Sequence, residues 1–212
     1  GRDTLALMPT GSGKSLTYQL AAMLRPEPTL VLSPLIALMK DQVDKLPAEI
    51  AATATFVNSS LDPEETKTRI RDVAAGRTRI LYAAPERLRN ASFVETLRTI
   101  GVGLVVIDEV HCVSMWGHDF RPDYLFIRRA LEALGDPAVL GMTATATPAT
   151  AREIATALGR DLAVVRTSVV RPNLRYDVAE VGGNEDRLRI LVERLGAVED
   201  GSAIVYARSR DS

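Results

Sequence analysis

Cysteine and tryptophan occur once each among the 212 residues, as Cys112 and Trp116, and histidine only twice. One cysteine permits no intrachain disulfide and no cysteine-cluster zinc site, which fits a reducing interior. His111 and His118 are too few to build a transition-metal site with it, even with Asp119 adjacent. No apolar run approaches the roughly 20 residues of a membrane-spanning helix, and the first residues show no signal-peptide pattern. Charge of one sign is missing too: 26 basic against 27 acidic side chains leave a formal charge of −1. That balance excludes a protein that coats nucleic acid by bulk positive charge, while leaving room for a groove with local Lys and Arg contacts. At 46% hydrophobic and 25% charged the composition is globular, and the length suits one large domain or one and a half smaller ones.

What is present is a regular alternation. Apolar strand candidates begin near residues 5, 29, 54, 79 and 103, each followed by a helical or mixed segment, with no similarity between units that would suggest a repeat. The pattern predicts an α/β fold with a parallel sheet covered by helices on both faces. Further strands are expected at 138–142 and 162–166, with a helix over 148–158 whose first turn holds Pro148. Pro172 and the Gly182-Gly183 pair mark a linker over 168–183. Beyond it, Leu188, Leu191, Val192 and Leu195 read as a helix leading to a strand at 203–206. This division gives a domain over 1–167, the linker, and the start of a second unit over 184–212 that is too short to bury a core of its own.

The first strand runs into MPTGSGKS. Pro9 to Gly13 form a Gly-rich turn, and Lys14 opens a helix with Leu16, Leu20, Met23 and Leu24 as its apolar periodic residues. Glycines at 11 and 13 let successive N–H groups of Thr10, Gly11, Ser12 and Gly13 curl around phosphate oxygens, and the helix N-terminus adds free donors and partial positive charge. Lys14 would reach the β- and γ-phosphates of ATP, and the Ser15 hydroxyl would ligate Mg2+. The first Gly of the strict phosphate-loop pattern is Met8 here, a departure normal for helicase-type loops. A Gly-Ser-Gly-Lys turn can also be a plain strand-to-helix connection.

Residues 104–107 are continuously apolar, as a strand buried on both faces must be. Asp108 therefore emerges at the carboxyl end of a parallel strand, where open α/β sheets bind ligands. Magnesium prefers oxygen ligands and keeps several waters, so Asp108 would hold it directly or through water. Glu109 is left to orient and deprotonate the attacking water. An Asp-Glu pair after a strand can also be a solvated loop start.

Taken together, these residues resemble the RecQ family of superfamily-two DNA helicases. MPTGSGKSLTYQLAA resembles its motif I, VLSPLIALMKDQV motif Ia, YAAPERL motif Ib and VIDEVHC its Asp-Glu-x-His box. SMWGHDFRPDY resembles the aromatic-rich loop that follows the box. GMTATAT, RPNLRY and IVYARSR resemble motif III, the interdomain entry and motif IV. The resemblance implies a RecA-like ATPase lobe plus the beginning of a second one. It further implies an ATP- and Mg2+-dependent motor on single-stranded and duplex DNA, moving 3′ to 5′, in recombination and repair. It would be cytoplasmic and nucleoid-associated in a bacterium, nuclear in a eukaryote.

Several site residues follow from the resemblance. Trp116, Phe120 and Arg121 offer aromatic faces and a guanidinium plane for unstacked bases, and pressure on that loop could shift His111 and Glu109. The alternative is that Trp116 and Phe120 merely cap the core. Thr143 and Thr145 would link the nucleotide site to the DNA track, though threonines there are also turn formers. Ser33, Lys40, Gln42, Pro85 and Arg87 sit at strand ends or helix starts on the same edge and would hold phosphates without reading sequence; Lys40 reads equally as a solvated helix charge. Val110 stands where the family has Ala, and Met115 where it has Gln. The family's upstream adenine-gripping segment, its arginine finger and its zinc-binding region have no counterpart in these residues, so further helicase domains are expected as partners of this lobe.

Overall fold

In the computed structural model, residues 2–34, 36–113, 124–168 and 173–206 are described. They fall into two compact units, 1–169 and 170–212.

The first unit is built on seven strands, all parallel: β1 (Thr4–Leu7), β2 (Thr29–Leu32), β3 (Ala54–Val57), β4 (Ile80–Ala83), β5 (Leu104–Ile107), β6 (Ala138–Thr143) and β7 (Ala163–Arg166). They lie in the order β3-β4-β2-β5-β6-β1-β7. The central strands β2, β4 and β5 are apolar tetrads or nearly so and are buried at every position, as a sheet covered on both faces requires. The edge strand β7 is largely exposed.

The helices are α1 (Lys14–Leu24), α2 (Ile36–Asp44), α3 (Ala48–Ala51), α4 (Pro63–Ala74), α5 (Ala91–Ile100), α6 (Leu125–Ala133) and α7 (Pro148–Leu158). Local chemistry fixes where several begin. Asp62, Asn90 and Thr147 accept the N–H groups of Glu65, Phe93 and Thr150 at 2.8, 3.1 and 3.1 Å, satisfying donors that the first turn cannot satisfy itself. Pro63 and Pro148 supply a pre-set φ at the first helical position.

Two apolar layers sandwich the sheet. One holds Leu30, Leu32, Val105 and Ile107 against Leu97, Ile127, Leu131 and Ile154 of α5, α6 and α7. The other holds Val31, Tyr82, Val106 and Met142 against Tyr18 and Ala22 of α1 and Met39 of α2. Gly141 lets β6 pass close to its neighbours: a Cβ there would meet Leu5 and Val110 side chains at 3.3 Å.

Helix α1 opens at Lys14 as expected, but with its leucines outward. Leu16, Leu20 and Leu24 are 53, 54 and 86% exposed, whereas Tyr18, Gln19 and Ala22 are buried. The leucine periodicity marks the outer face, because the surface beneath the helix carries Tyr82 and other groups that a tyrosine and a glutamine can pair with.

In the second unit, helix α8 (Asn184–Gly196) forms as expected and has no buried residue. The strand expected at 203–206 does not form; those residues are exposed and without regular structure. A strand needs a neighbour to complete its backbone hydrogen bonds, and the described residues of this unit contain none. Among the described residues, no helix is long and apolar enough to cross a membrane.

Candidate active site

Five strands release candidate site residues at the same carboxyl edge. The turn after β1 carries Thr10, Gly11, Ser12 and Gly13; β5 ends at Asp108 and Glu109; β6, which lies between them, ends at Thr143. Ser33 follows β2 and Pro85 follows β4. The sheet order thus sets the phosphate turn and the paired carboxylates on either side of one strand.

The turn is closed by Ser12, whose N–H and Oγ both donate to the Pro9 carbonyl at 3.2 and 2.6 Å. Gly11 and Gly13 adopt φ of 80° and 86° with nothing near the position of a Cβ, a left-handed conformation that glycine adopts without penalty. Unlike α4, α5 and α7, helix α1 begins on a glycine with no side-chain cap. The N–H groups of Lys14 and Ser15 in its first turn therefore lack intrahelical acceptors.

Lys14 turns back onto the carboxylates. Its Nζ lies 3.7 Å from Glu109 Oε1, both side chains being half-buried. Glu109 holds φ at 47°, a left-handed conformation that costs a non-glycine residue about 1–2 kcal/mol and that aims the carboxylate back at the loop. Its other oxygen, Oε2, lies 3.3 Å from His111 Nδ1, which is 2.8 Å from Thr143 Oγ1. Thr143 Oγ1 in turn accepts the Thr145 N–H at 3.2 Å and donates to the Thr145 carbonyl. Which of His111 Nδ1 and Thr143 Oγ1 donates in the bond between them is set by the imidazole tautomer. Lys14, Glu109, His111, Thr143 and Thr145 thus form one contact chain.

Asp108 stands beside this chain. Its Oδ1 accepts the Glu109 N–H at 3.0 Å, its own N–H donates to the Leu32 carbonyl at 2.8 Å, and the Tyr124 hydroxyl donates to its carbonyl oxygen at 3.1 Å. Burial, and then the neighbouring Glu109 charge, push its carboxyl above the usual range; the Glu109 N–H, Lys14 and His111 pull the other way. A buried carboxylate in that state gains from a cation. The oxygen-only donors Asp108 and Ser15 suit Mg2+ and not a softer metal. The residues present therefore fit a magnesium nucleotide.

The expected nucleic-acid contacts divide. Lys40 on α2 and Thr145, two residues past β6, are exposed. Ser33 is 1% exposed and Pro85 is buried, so neither side chain is free to meet a phosphate. Ser33 lies one residue beyond the paired Leu32 and Ile107, its Oγ without a hydrogen-bond partner among the described residues. That places it inside the sheet edge, next to the Asp108 strand. Thr143 is also fully buried, and its hydroxyl serves His111. Arg87 stacks its guanidinium over Phe93 at 5.2 Å. Trp116, Phe120 and Arg121, with Met115, His118 and Asp119, lie outside the described residues. Val110 is fully buried, packed where Gly141 leaves room.

Sequence reasoning missed the tyrosines. Tyr18, Tyr82 and Tyr124 are nearly inaccessible and all hydrogen-bonded at this edge. The available signal was a polar-tipped aromatic on faces that were otherwise apolar, which calls for a buried partner.

A glycine-rich phosphate turn feeding a helix, with paired carboxylates two strands away on a parallel sheet, defines a RecA-like nucleotide-binding domain. Residues 1–154 match the family model described as DEAD/DEAH box helicase, and the chain belongs to that family. Over 99% of its length it is 41% identical to the probable ATP-dependent DNA helicase RecS of Bacillus subtilis, and 40% identical to that organism's ATP-dependent DNA helicase RecQ. It spans 42% and 35% of those two proteins. Its fold is similar to the crystal structure of the DUF1998 helicase MrfA, with a TM-score of 0.70 at 21% identity, covering 100% of this chain and 34% of the other.

Proposed function

We propose that the chain is the ATP-hydrolysing lobe of a RecQ-type DNA helicase, with residues 184–212 beginning a second lobe, and that hydrolysis moves the two along one DNA strand to separate a duplex. The observation that carries this reading is the contact chain from Lys14 through Glu109 and His111 to Thr143, set beside Asp108 and the glycine turn. The names of the RecS and RecQ relatives support DNA as the substrate.

The backbone donors of Thr10 to Gly13 and of the first turn of α1 wrap the phosphates. Lys14 exchanges Glu109 for the β- and γ-phosphate oxygens. Ser15 Oγ and the Asp108 carboxylate, the latter directly or through water, would hold Mg2+, which when bound would neutralise charge on those oxygens. Freed of Lys14, Glu109 accepts a proton from water as the water oxygen bonds to the γ-phosphorus and the bond to the bridging oxygen breaks, its electron pair leaving with ADP. His111 holds the Glu109 carboxylate in place and reports its position to Thr143 and Thr145. Lys40 contacts a DNA phosphate, and Trp116, Phe120 and Arg121 stack against bases.

Steady-state ATP hydrolysis by the full-length protein, measured alone and with single-stranded DNA or RNA of one sequence and with Lys14→Ala as the blank, tests this reading. Stimulation by DNA well above that by RNA is the expected result. Equal stimulation by RNA would move the substrate class to RNA, and no hydrolysis above the blank would end the motor assignment.

A further inference from the structure

The end of β3, an edge strand of the sheet, opens into a groove of 640 Å3 that the ATPase chemistry does not use. It lies five strand positions from β1, roughly 24 Å across the sheet from the phosphate turn at about 4.8 Å per strand. Lys40 and Asp44 line it from α2, Glu65 and Arg69 from α4, and Phe56 and Asn58 from the end of β3. Its volume falls within the range of about 300–1,000 Å3 typical of small-ligand sites.

Two lining groups are built for a ligand. Asn58 is 3% exposed, and its Oδ1 accepts the Ser60 N–H at 2.9 Å and the Ser60 hydroxyl at 2.6 Å. A backbone N–H can only donate, so the first of these bonds fixes which way the amide faces. Both hydrogens on Nδ2 are then left without a partner among the described residues. Donors so placed in a buried side chain call for an acceptor that arrives from outside. The other group is Arg69, whose guanidinium lies 4.2 Å from the centroid of the Phe56 ring. It is held there by bonds to Thr55 Oγ1 and the Phe56 carbonyl at 3.2 and 3.3 Å and to Glu65 Oε1 at 2.6 Å. The pair forms a fixed planar stack, the kind of surface on which an unstacked base rests.

Charge decides between a base and a phosphate as the occupant. Lys40 and Arg69 are balanced by Asp44 and Glu65, so the groove has no excess of positive charge with which to hold an anion inside it. An amide donor, a carboxylate acceptor and a flat stack suit the neutral, hydrogen-bonding ring of a nucleobase instead. Lys40 is exposed and makes no ion pair among the described residues, which leaves it for the phosphate attached to that base. We propose that the groove takes one unstacked base of the DNA strand: the ring lies on the Arg69 and Phe56 stack, Asn58 Nδ2 donates to an acceptor on its edge, and Lys40 meets the adjoining phosphate. Because Asn58 Oδ1 is occupied by Ser60, the two-bond pairing by which an asparagine selects adenine is closed to it, and the site accepts a base without choosing that one. The inference rests on the DNA-motor reading above and goes beyond it in naming a base site remote from the nucleotide and from the loop after Glu109.

The test measures binding of the full-length protein to a DNA duplex with a single-stranded tail, the tail being intact or carrying one abasic site at each position in turn. At the position seated in the groove, the abasic site should cost the parent about tenfold, the scale of one stacked base. Asn58→Ser keeps a hydroxyl that can accept the Ser60 N–H and removes both amide donors. It should bind the intact tail about fivefold more weakly, one neutral hydrogen bond's worth, with the slope of log K against log salt unchanged. On the tail that is abasic at the seated position, the variant and the parent should bind equally. A merely structural Asn58 would weaken binding to every tail alike, and that result overturns the proposal. So does a shallower salt slope, the mark of a phosphate contact, and so does a variant with the parent's affinity. Should Asn58→Ser not fold, Arg69→Lys, which keeps the cation and loses the plane, decides by the same comparison: a loss cancelled at one abasic position supports the site, and a uniform loss or none overturns it. A parent that binds no tail at all would overturn the DNA reading, and this inference with it.

Discussion

Asp108 is the residue where function and stability oppose each other. Burial and the Glu109 charge raise its carboxyl pKa in the folded chain, so the native state binds that proton more tightly than the unfolded state, where a carboxyl titrates near about 3.9. The stability this proton contributes is fully present below that unfolded value and is lost as pH rises through the folded one. At neutral pH the ionised side chain is therefore a cost, which a bound cation offsets. Asp108→Asn keeps an acceptor for the Glu109 N–H and removes the charge. Its melting temperature without nucleotide should exceed the parent's at neutral pH, by about 2–4 °C per kcal/mol relieved in a chain of this size, and the difference should close as pH falls below the carboxylate range. Its metal-dependent nucleotide affinity should vanish. Equal melting temperatures at neutral pH would refute the account. Glu109 gives a complementary case, because in the ligand-free chain it competes with phosphate for Lys14. The pair is half-buried and worth no more than about 1 kcal/mol, so Glu109→Gln should bind nucleotide up to about fivefold more tightly while hydrolysis falls about 10²- to 10⁴-fold with loss of the general base. Weaker binding with intact turnover would contradict both roles.

Strand β6 shows how tightly the site depends on its supports. It separates the phosphate turn from the carboxylates, and Gly141 is the residue that lets Leu5 and Val110 close on it from either side. Gly141→Ala should cost about 1–3 kcal/mol through overpacking, visible as a lower melting temperature, and should disturb the turn at Asp108 to Val113 more than the far edge. Unchanged stability would mean that Val110 yields freely. The strands were readable from sequence because a doubly covered parallel strand leaves an apolar or nearly apolar tetrad, as in 29–32, 80–83 and 104–107. Helix α1 formed where its periodicity placed it, but which face it buries was not legible: what lies beneath α1 includes Tyr82, and Tyr18 and Gln19 meet it better than the leucines do. The left-handed φ of Glu109 left no trace in the sequence either, since a glutamate, unlike a glycine, does not announce such a conformation. The strand at 203–206 failed because apolar character supplies no pairing partner.

On the proposed reading the sheet serves two activities, with the nucleotide groups after β1, β6 and β5 and the exposed Lys40 on the helix after β2. A formal charge of −1 gives the molecule as a whole no attraction for a polyanion. The proposed affinity for DNA must then come from a few local phosphate contacts and from stacking, and each kind has its own salt signature. A phosphate contact releases counterions and contributes about −0.7 to the slope of log K against log salt on a single strand; stacking contributes little. Single-stranded DNA binding measured across a salt series should accordingly show a shallow slope, about −2 to −3 for three or four phosphate contacts. Burial of Ser33 and Pro85 removes two of the contacts otherwise expected on this edge and leaves Lys40 with a larger share. Lys40→Ala should weaken binding equally for all sequences and make the slope shallower by roughly one contact's worth. A variant with the parent's slope would show that Lys40 is a solvated helix charge and that the track runs elsewhere on the edge.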